Sequence, residues 1–174
     1  LMLAASADIP ILITRLYGWP LPNPFRAALL AWNPIEMWRR WGIYNRQILL
    51  TLVYFPLGGN RRHRYRNIVL TFLASALVLH TGWFGSRYWS VGTSGWRDES
   101  IYFLLQAAAV CACLFLWERT GKDPRLDRGF RLSPLRVAST AATQVWSACV
   151  HVFVLAQGID LGERLGLIGR CFGF

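Results

Sequence analysis

Residues 60–84 read NRRHRYRNIVLTFLASALVLHTGWF, a basic loop followed by eighteen residues that include no Asp, Glu, Lys or Arg. A helix that crosses the hydrocarbon core of a bilayer needs about 20 mostly apolar residues, with a range of about 17–25. The stretch 67–84 therefore predicts a membrane-spanning helix, and the arginines before it are typical of a helix end at the membrane surface.

Three other stretches have the same character. Residues 100–117 carry no charge, and residues 134–157 carry only Arg136 near their start. Residues 42–57 are apolar but short, which favours a tilted, broken or partly buried helix. Hydrophobic residues make up 54% of the chain and charged residues 16%, against about 45–50% and about 25% in average soluble domains. The sequence thus predicts an all-α, polytopic membrane protein with about four membrane-embedded helices, in a single domain over residues 1–174.

Two segments are predicted to lie at the membrane surface as interfacial amphipathic helices. Residues 25–41 mix apolar with charged residues and have prolines nearby, which is typical of broken interfacial helices. Residues 160–174 alternate leucines with charged residues, and Asp160 is placed to cap a short amphipathic helix.

The distribution of basic residues predicts the orientation. The net charge is +10, and the arginines concentrate in loops 60–66 and 118–136, whereas loop 85–99 is nearly neutral. The positive-inside rule places the two basic loops in the cytoplasm. Because the arginines lie in short loops between apolar spans, the lipid bilayer is the expected partner and nucleic acid is not. A single lysine, Lys122, among 19 basic residues is typical of a GC-rich bacterial genome, which indicates the bacterial cytoplasmic membrane.

His80 is the first candidate for chemistry, because a polar residue at membrane depth is costly unless it is paired or functional. It follows Asn67 by thirteen residues, roughly 20 Å along a helix. Its imidazole could act as a general base on a hydroxyl, ligate a metal-bearing cofactor, or hydrogen-bond a neighbouring helix. The spacing alone leaves these three interpretations open.

His151 is a second intramembrane polar residue and shares a helix face with Gln144 and Ser147. This polar stripe favours hydrogen bonding between helices. Ala76 and Ser147 each stand one turn before a histidine and would leave room for a flat macrocycle, so a haem or chlorophyll-type tetrapyrrole on His80 and His151 is the competing interpretation. The four cysteines have neither metal-binding nor disulfide spacing, and no metal site is predicted.

The run Trp38-Arg39-Arg40-Trp41 places paired arginines between two tryptophans. Such a run could bind an anionic lipid head group or the phosphates of a thioester donor, or it could simply anchor the chain at the interface.

The order of these motifs resembles the membrane-bound O-acyltransferase superfamily, in particular its alginate O-acetylase and D-alanyl-transfer branches. The resemblance rests on NPIEMWRRW at 33–41, YFPLGGNR at 54–61 and a helix ending near His80, with GWPLPNPF at 18–25 ahead of them. It covers nearly the whole chain but only the C-terminal portion of a family member.

The resemblance implies transfer of an acyl group from a thioester donor to a hydroxyl acceptor. His80 would be the membrane-embedded base, and Arg39 and Arg40 would lie near the donor. Several family positions differ: Gly42 replaces a histidine, and Leu50-Thr51 replace an Arg-Asp pair. These differences keep an alternative open, a catalytically inactive relative that serves as a structural transmembrane subunit of a larger membrane complex and contacts other subunits, pigment, haem or lipid.

Overall fold

The computed structural model describes residues 11–81, 94–121, 134–155 and 159–171. All regular secondary structure in these four ranges is helical, which confirms the predicted helical fold class. The helices are α1 (Pro34–Arg40), α2 (Ile43–Leu49, extended by a π-helical segment Leu50–Tyr54), α3 (Arg64–Thr81), α4 (Ser94–Thr120), α5 (Pro134–Leu155) and α6 (Leu161–Cys171). Residues 11–16 are also helical, and Ala28–Leu30 form a 3-10 turn.

Among the described helices, one is long and apolar enough to cross a membrane. It is the segment Asp98–Thr120 of α4, with a mean hydropathy of 2.0. Residues 67–81 and 134–155 of two predicted stretches belong to α3 and α5, and residues 43–54 of the stretch 42–57 form α2 with its π-helical extension. Their passage across or into a membrane stays a prediction.

A sharp corner separates α1 from α2. Asn33 begins α1 by accepting a 2.7 Å hydrogen bond from the Glu36 amide, and Pro34 follows at the first helical position, where its missing N–H costs nothing. Between the two helices Gly42 has φ +57°, the left-handed region that glycine adopts most easily. A glycine at position 42 therefore suits the turn that the backbone makes here.

The turn between α2 and α3 is held by the buried side chain of Asn67. Its Nδ2 donates towards three main-chain carbonyls, those of Leu57 (3.1 Å), Gly59 (2.9 Å) and Arg62 (2.6 Å). An amide nitrogen has two hydrogens, so one of them is shared. Asn67 thus binds the PLGGNR block to the first turn of α3.

Helices α3 and α4 form an antiparallel pair. Arg64 and Tyr65 at the start of α3 meet Glu118 near the end of α4, with Arg64 Nη1–Glu118 Oε1 at 2.7 Å. Further along, Phe72 of α3 lies 6.5 Å from Phe103 of α4, measured between ring centroids. Helix α5 packs against the other side of α4. The buried core of Ala76, Tyr102, Phe103 and Val150 joins the three helices.

Two predicted segments differ in detail from the structure, and a third agrees with it. Segment 25–41 does not only lie at a surface: Ala28, Ala31 and Met37 are buried, because α1 packs against α4 and the 3-10 turn. Residues 94–99 of the predicted loop 85–99 belong to α4, and its other residues lie outside the described ranges. The C-terminal helix α6 is capped by Asp160 as predicted, since Asp160 Oδ2 accepts from the Gly162 amide at 3.1 Å.

Candidate functional site

The motif arginines share one carboxylate. Glu36 accepts from Arg39 Nη1 at 2.6 Å and from Arg40 Nε at 3.4 Å, both within α1. Two guanidinium groups against one carboxylate leave this helix with a net positive charge. Arg39 is about half exposed, at 48%, so it remains accessible to an anion.

Trp38 points the other way, into the core. Its ring lies 5.0 Å from that of Phe72 in an edge-to-face arrangement and 6.0 Å from that of Phe103. Its indole Nε1 donates a long hydrogen bond of 3.4 Å to Gln106 Oε1 on α4. Trp38 therefore anchors the arginine-bearing helix to the α3–α4 pair. Trp41 packs separately, edge-on to Phe25 at 5.3 Å.

Two arginine side chains contact the ring of Trp32, which lies just before α1. The guanidinium carbons of Arg40 and Arg136 lie 5.1 Å and 3.9 Å from the centroid of its ring, within range of cation–π attraction. The Trp32 carbonyl also accepts a short hydrogen bond from Ser139 Oγ. The motif residue Arg40 therefore lies close to Arg136, near the start of α5.

His151 has its two ring nitrogens engaged. Nδ1 lies 2.6 Å from the Ser147 carbonyl oxygen, which can only accept, so Nδ1 carries the hydrogen. In the neutral ring Nε2 is then the acceptor, and the Tyr102 hydroxyl of α4 donates to it over 3.4 Å. An axial bond from Nε2 to a tetrapyrrole would have to displace this long contact with Tyr102, and the tetrapyrrole interpretation stays a prediction.

Gln144 lies two turns before His151 on α5. Its Nε2 donates at 3.3 Å to the Ala28 carbonyl in the 3-10 turn. The polar stripe on α5 thus contacts two different partners, the segment before α1 and helix α4. Among the described residues there is no cluster of three or more His, Cys, Asp or Glu that could hold a metal ion.

His80 is the second-last residue of α3, one helical turn beyond the buried Ala76. Its side chain lies outside the described residues, so the structure gives its place on the helix from the backbone. The functional roles assigned to His80, His151, Gln144 and the motif residues 38–41 stay predictions.

Several buried polar residues are absent from the sequence-based site. Gln106 is completely buried, and its Nε2 meets no hydrogen-bond partner among the residues that the structure describes. Asp98 and Arg164 form a buried ion pair of 2.8 Å between α4 and α6. Gln106 could have been noticed as a polar residue in an uncharged stretch. No feature of the sequence indicated the ion pair, because Asp98 lies in a segment predicted to be a loop and Arg164 in a segment predicted to be a surface helix.

Polar contacts join α3 and α4 at the end of the pair that is predicted to lie in the cytoplasm. Besides the Arg64 ion pair, Glu118 Oε2 accepts from the Tyr65 hydroxyl at 2.5 Å. The hydrogen bond to this carboxylate raises the pKa of Tyr65 above its usual value, so the phenol stays neutral and donates.

Comparison with known proteins confirms the resemblance to membrane-bound O-acyltransferases, at modest identity. The chain is 37% identical over 79 residues to the peptidoglycan O-acetyltransferase of Helicobacter pylori, covering 44% of this chain and 15% of that protein. It is 29% identical over 171 residues to a probable alginate O-acetylase AlgI of Pseudomonas fluorescens, covering 96% of this chain and 28% of that protein. A probable alginate O-acetylase AlgI of Azotobacter vinelandii is 29% identical over 94 residues, which cover 52% of this chain and 18% of that protein.

The chain therefore spans between about a seventh and somewhat over a quarter of the length of these relatives. No protein-family model matches the chain. No solved structure matches it either.

Proposed function

We propose that the chain is part of a membrane-bound O-acyltransferase that moves an acyl group from a thioester donor to a hydroxyl acceptor. The observation that carries the proposal is the similarity over 171 residues to a protein named as a probable alginate O-acetylase. The peptidoglycan O-acetyltransferase of Helicobacter pylori, with its higher identity over a shorter stretch, supports the same class of reaction.

His80 acts as the general base in this proposal. The neutral imidazole takes the proton from the acceptor hydroxyl while the hydroxyl oxygen attacks the thioester carbonyl carbon. The tetrahedral intermediate then expels the thiolate, which is protonated by the imidazolium, so the base returns to its neutral form. The products are an ester and a free thiol.

Arg39 and Arg40 bind the negative charge of the donor. Their position supports this role, since Trp38 anchors their helix to the same α3–α4 pair that carries His80. The contact of Arg40 and Arg136 with the ring of Trp32 supports a cytoplasmic position for the motif arginines, since the charge pattern predicts that the basic residues up to Arg136 face the cytoplasm. The donor would reach the site from that side of a bacterial cytoplasmic membrane.

The test uses the full-length protein in membrane vesicles, with transfer of labelled acetyl from acetyl thioester to a polysaccharide acceptor as the readout. His80→Asn is expected to lower the rate at least about a hundredfold, the usual contribution of a general base. His63→Asn is the matched control. It replaces an exposed histidine whose φ of +47° an asparagine tolerates, and it should leave the rate unchanged.

The alternative, a structural subunit, predicts a different result. The wild-type protein would then transfer no acetyl and would purify in mild detergent at fixed stoichiometry with other membrane proteins. That outcome, or full activity of His80→Asn, would overturn the proposal.

A further inference from the structure

Five arginines lie together at the end of the α3–α4 pair where α3 begins and α4 ends. Four of them lie in the turn before α3 or in its first turn, and one lies in the last turn of α4: Arg61, Arg62, Arg64, Arg66 and Arg119. The Arg64–Glu118 ion pair of 2.7 Å holds the two helix ends together. These five residues form the arginine patch.

One carboxylate pairs with this patch among the residues that the structure describes, and it is fully engaged. Glu118 Oε1 pairs with Arg64, and Glu118 Oε2 accepts from the Tyr65 hydroxyl at 2.5 Å. The four other members of the patch have no ion pair in the described part of the chain, and all four are exposed. Five guanidinium groups against one carboxylate leave an excess of positive charge that an anion outside the protein can reach.

Exposed apolar side chains continue both helices from the patch toward the middle of the pair. On α4, Phe115 and Leu116 are 48% and 58% exposed and lie within one turn before Arg119. The guanidinium carbon of Arg119 lies 4.9 Å from the centroid of the Phe115 ring, so the side chain covers part of this apolar surface. On α3, Leu70 is 38% exposed and lies one turn after Arg66. Each helix therefore carries an arginine directly beside exposed apolar surface.

A ligand for this surface has to match both its charge and its apolar part. Arg119 lies at the end of the segment Asp98–Thr120, which is apolar enough to cross a membrane, and the phosphate groups of lipids lie at the ends of such segments. A soluble anion would neutralise the arginines but leave the apolar side chains in water. An anionic phospholipid supplies a phosphate group and an acyl chain in one molecule.

We propose that the arginine patch binds the head group of an anionic phospholipid, with an acyl chain packed along Phe115 and Leu116. The phosphate oxygens accept hydrogen bonds from the guanidinium groups, which present paired donors to them. This binding is separate from the proposed acyl transfer, because it involves neither His80 nor the motif residues Arg39 and Arg40. Its test therefore needs no catalytic readout.

The test places a fluorescent reporter beside the patch. In a cysteine-less background of the full-length protein, Leu116→Cys is labelled with bimane and reconstituted into phosphatidylcholine vesicles that contain a rising fraction of brominated phosphatidylglycerol. Bromine atoms quench a nearby fluorophore, so the quenching gives the affinity for this lipid relative to brominated phosphatidylcholine. The expected preference for phosphatidylglycerol is at least about tenfold, because several arginines act together.

Two double variants ask whether the arginines cause the preference. Arg66→Gln with Arg119→Gln should lower the preference at least about fivefold, since each basic residue at the membrane surface attracts anionic lipid. Arg66→Lys with Arg119→Lys keeps both charges and should retain most of the preference. An unchanged preference in the glutamine variant would overturn the proposal.

Two controls separate the patch from the rest of the protein. Arg15→Gln with Arg170→Gln removes the same number of charges from exposed positions outside the patch, and the preference should change less than about twofold. A bimane at Leu104→Cys, which is 41% exposed and about three turns earlier on α4, should show a preference below about twofold.

The other outcomes that would overturn the proposal are distinct from one another. Equal quenching by the two brominated lipids at position 116 would show that no anionic lipid is selected. An equal loss of preference in the Arg15→Gln and Arg170→Gln variant would assign the effect to net charge alone. Loss of the preference in excess inorganic phosphate, but not in sodium chloride at the same ionic strength, would assign the patch to a soluble anion. Absence of quenching by either lipid would show that this end of α4 does not contact a bilayer.

Discussion

Arg164 and Asp98 form an ion pair of 2.8 Å in which the side chains are 3% and 1% exposed. Arg164 Nε also donates at 2.8 Å to the Ile159 carbonyl, so the guanidinium is held at two points. The pair connects the N-terminal parts of α4 and α6. Because removal of one partner would leave a buried charge without compensation, we expect this contact to stabilise the docking of α6 on the bundle.

The first prediction concerns this ion pair. Arg164→Gln should destabilise the protein by about 3–5 kcal/mol, the usual effect of removing one partner of a buried pair. The combination of Arg164→Gln with Asp98→Asn should destabilise less than the sum of the two single changes, since no uncompensated charge remains. Unfolding in detergent micelles measures the stability of both variants. The control is Glu163→Gln at the exposed neighbouring position, whose free energy of unfolding should stay within about 0.5 kcal/mol of the wild-type value. Strictly additive losses would contradict the pairing.

The second prediction concerns the donor role of Asn67. Asn67→Asp preserves the size of the side chain but replaces an NH2 that faces three carbonyl oxygens with a carboxylate oxygen. The free energy of unfolding should fall by about 1–3 kcal/mol, because the buried carbonyl oxygens lose their hydrogen-bond donor and face a negative charge. Trypsin cleavage after Arg61 and Arg62 should become faster.

Asn60→Asp is the matched control for that experiment. Asn60 Oδ1 accepts from the Tyr54 hydroxyl at 2.6 Å, and a carboxylate oxygen accepts at least as well. The same substitution in the same turn should therefore be tolerated at position 60 and not at position 67. Equal cleavage rates in the two variants would show that Asn67 does not hold the turn.

Helix positions were largely predictable from the sequence, and side-chain partners were not. The apolar stretches 67–84, 100–117 and 134–157 correspond closely to α3, α4 and α5, because a long uncharged run is a local property of the chain. The partners of Trp38 and Asp98 are 68 and 66 residues away in sequence. Such contacts depend on how the helices pack, which neither hydropathy nor charge pattern determines.

The third prediction concerns the anchoring of α1. Trp38→Phe keeps an aromatic ring against Phe72 but removes the indole N–H that Gln106 Oε1 accepts. Since Gln106 is fully buried, the variant should be less stable by about 1–3 kcal/mol, the cost of an unsatisfied buried acceptor. Adding Gln106→Leu should recover part of that loss. Thermal unfolding in detergent measures both variants.

The same substitution at Trp41 is the control, because it removes a similar amount of aromatic surface without removing the contact that anchors α1. Trp41→Phe keeps an edge-on ring contact with Phe25 and should change stability by less than about 0.5 kcal/mol. A larger effect at position 41 than at position 38 would contradict the assignment of Trp38 as the anchor.

The last prediction concerns membrane orientation. The Arg64–Glu118 ion pair joins the start of α3 to the end of α4, so positions 62 and 121 lie at the same end of the pair, and Ile159 lies at the opposite end beside Arg164 and Asp98. All three positions are exposed. In a cysteine-less background, Arg62→Cys and Gly121→Cys should react with a membrane-impermeant maleimide in inverted vesicles and be protected in intact spheroplasts. Ile159→Cys should show the reverse pattern. Labelling of positions 62 and 121 from opposite sides of the membrane would contradict a transmembrane α3–α4 pair. Labelling of both positions only from outside would reverse the predicted orientation, and the donor arginines would then not face the cytoplasm.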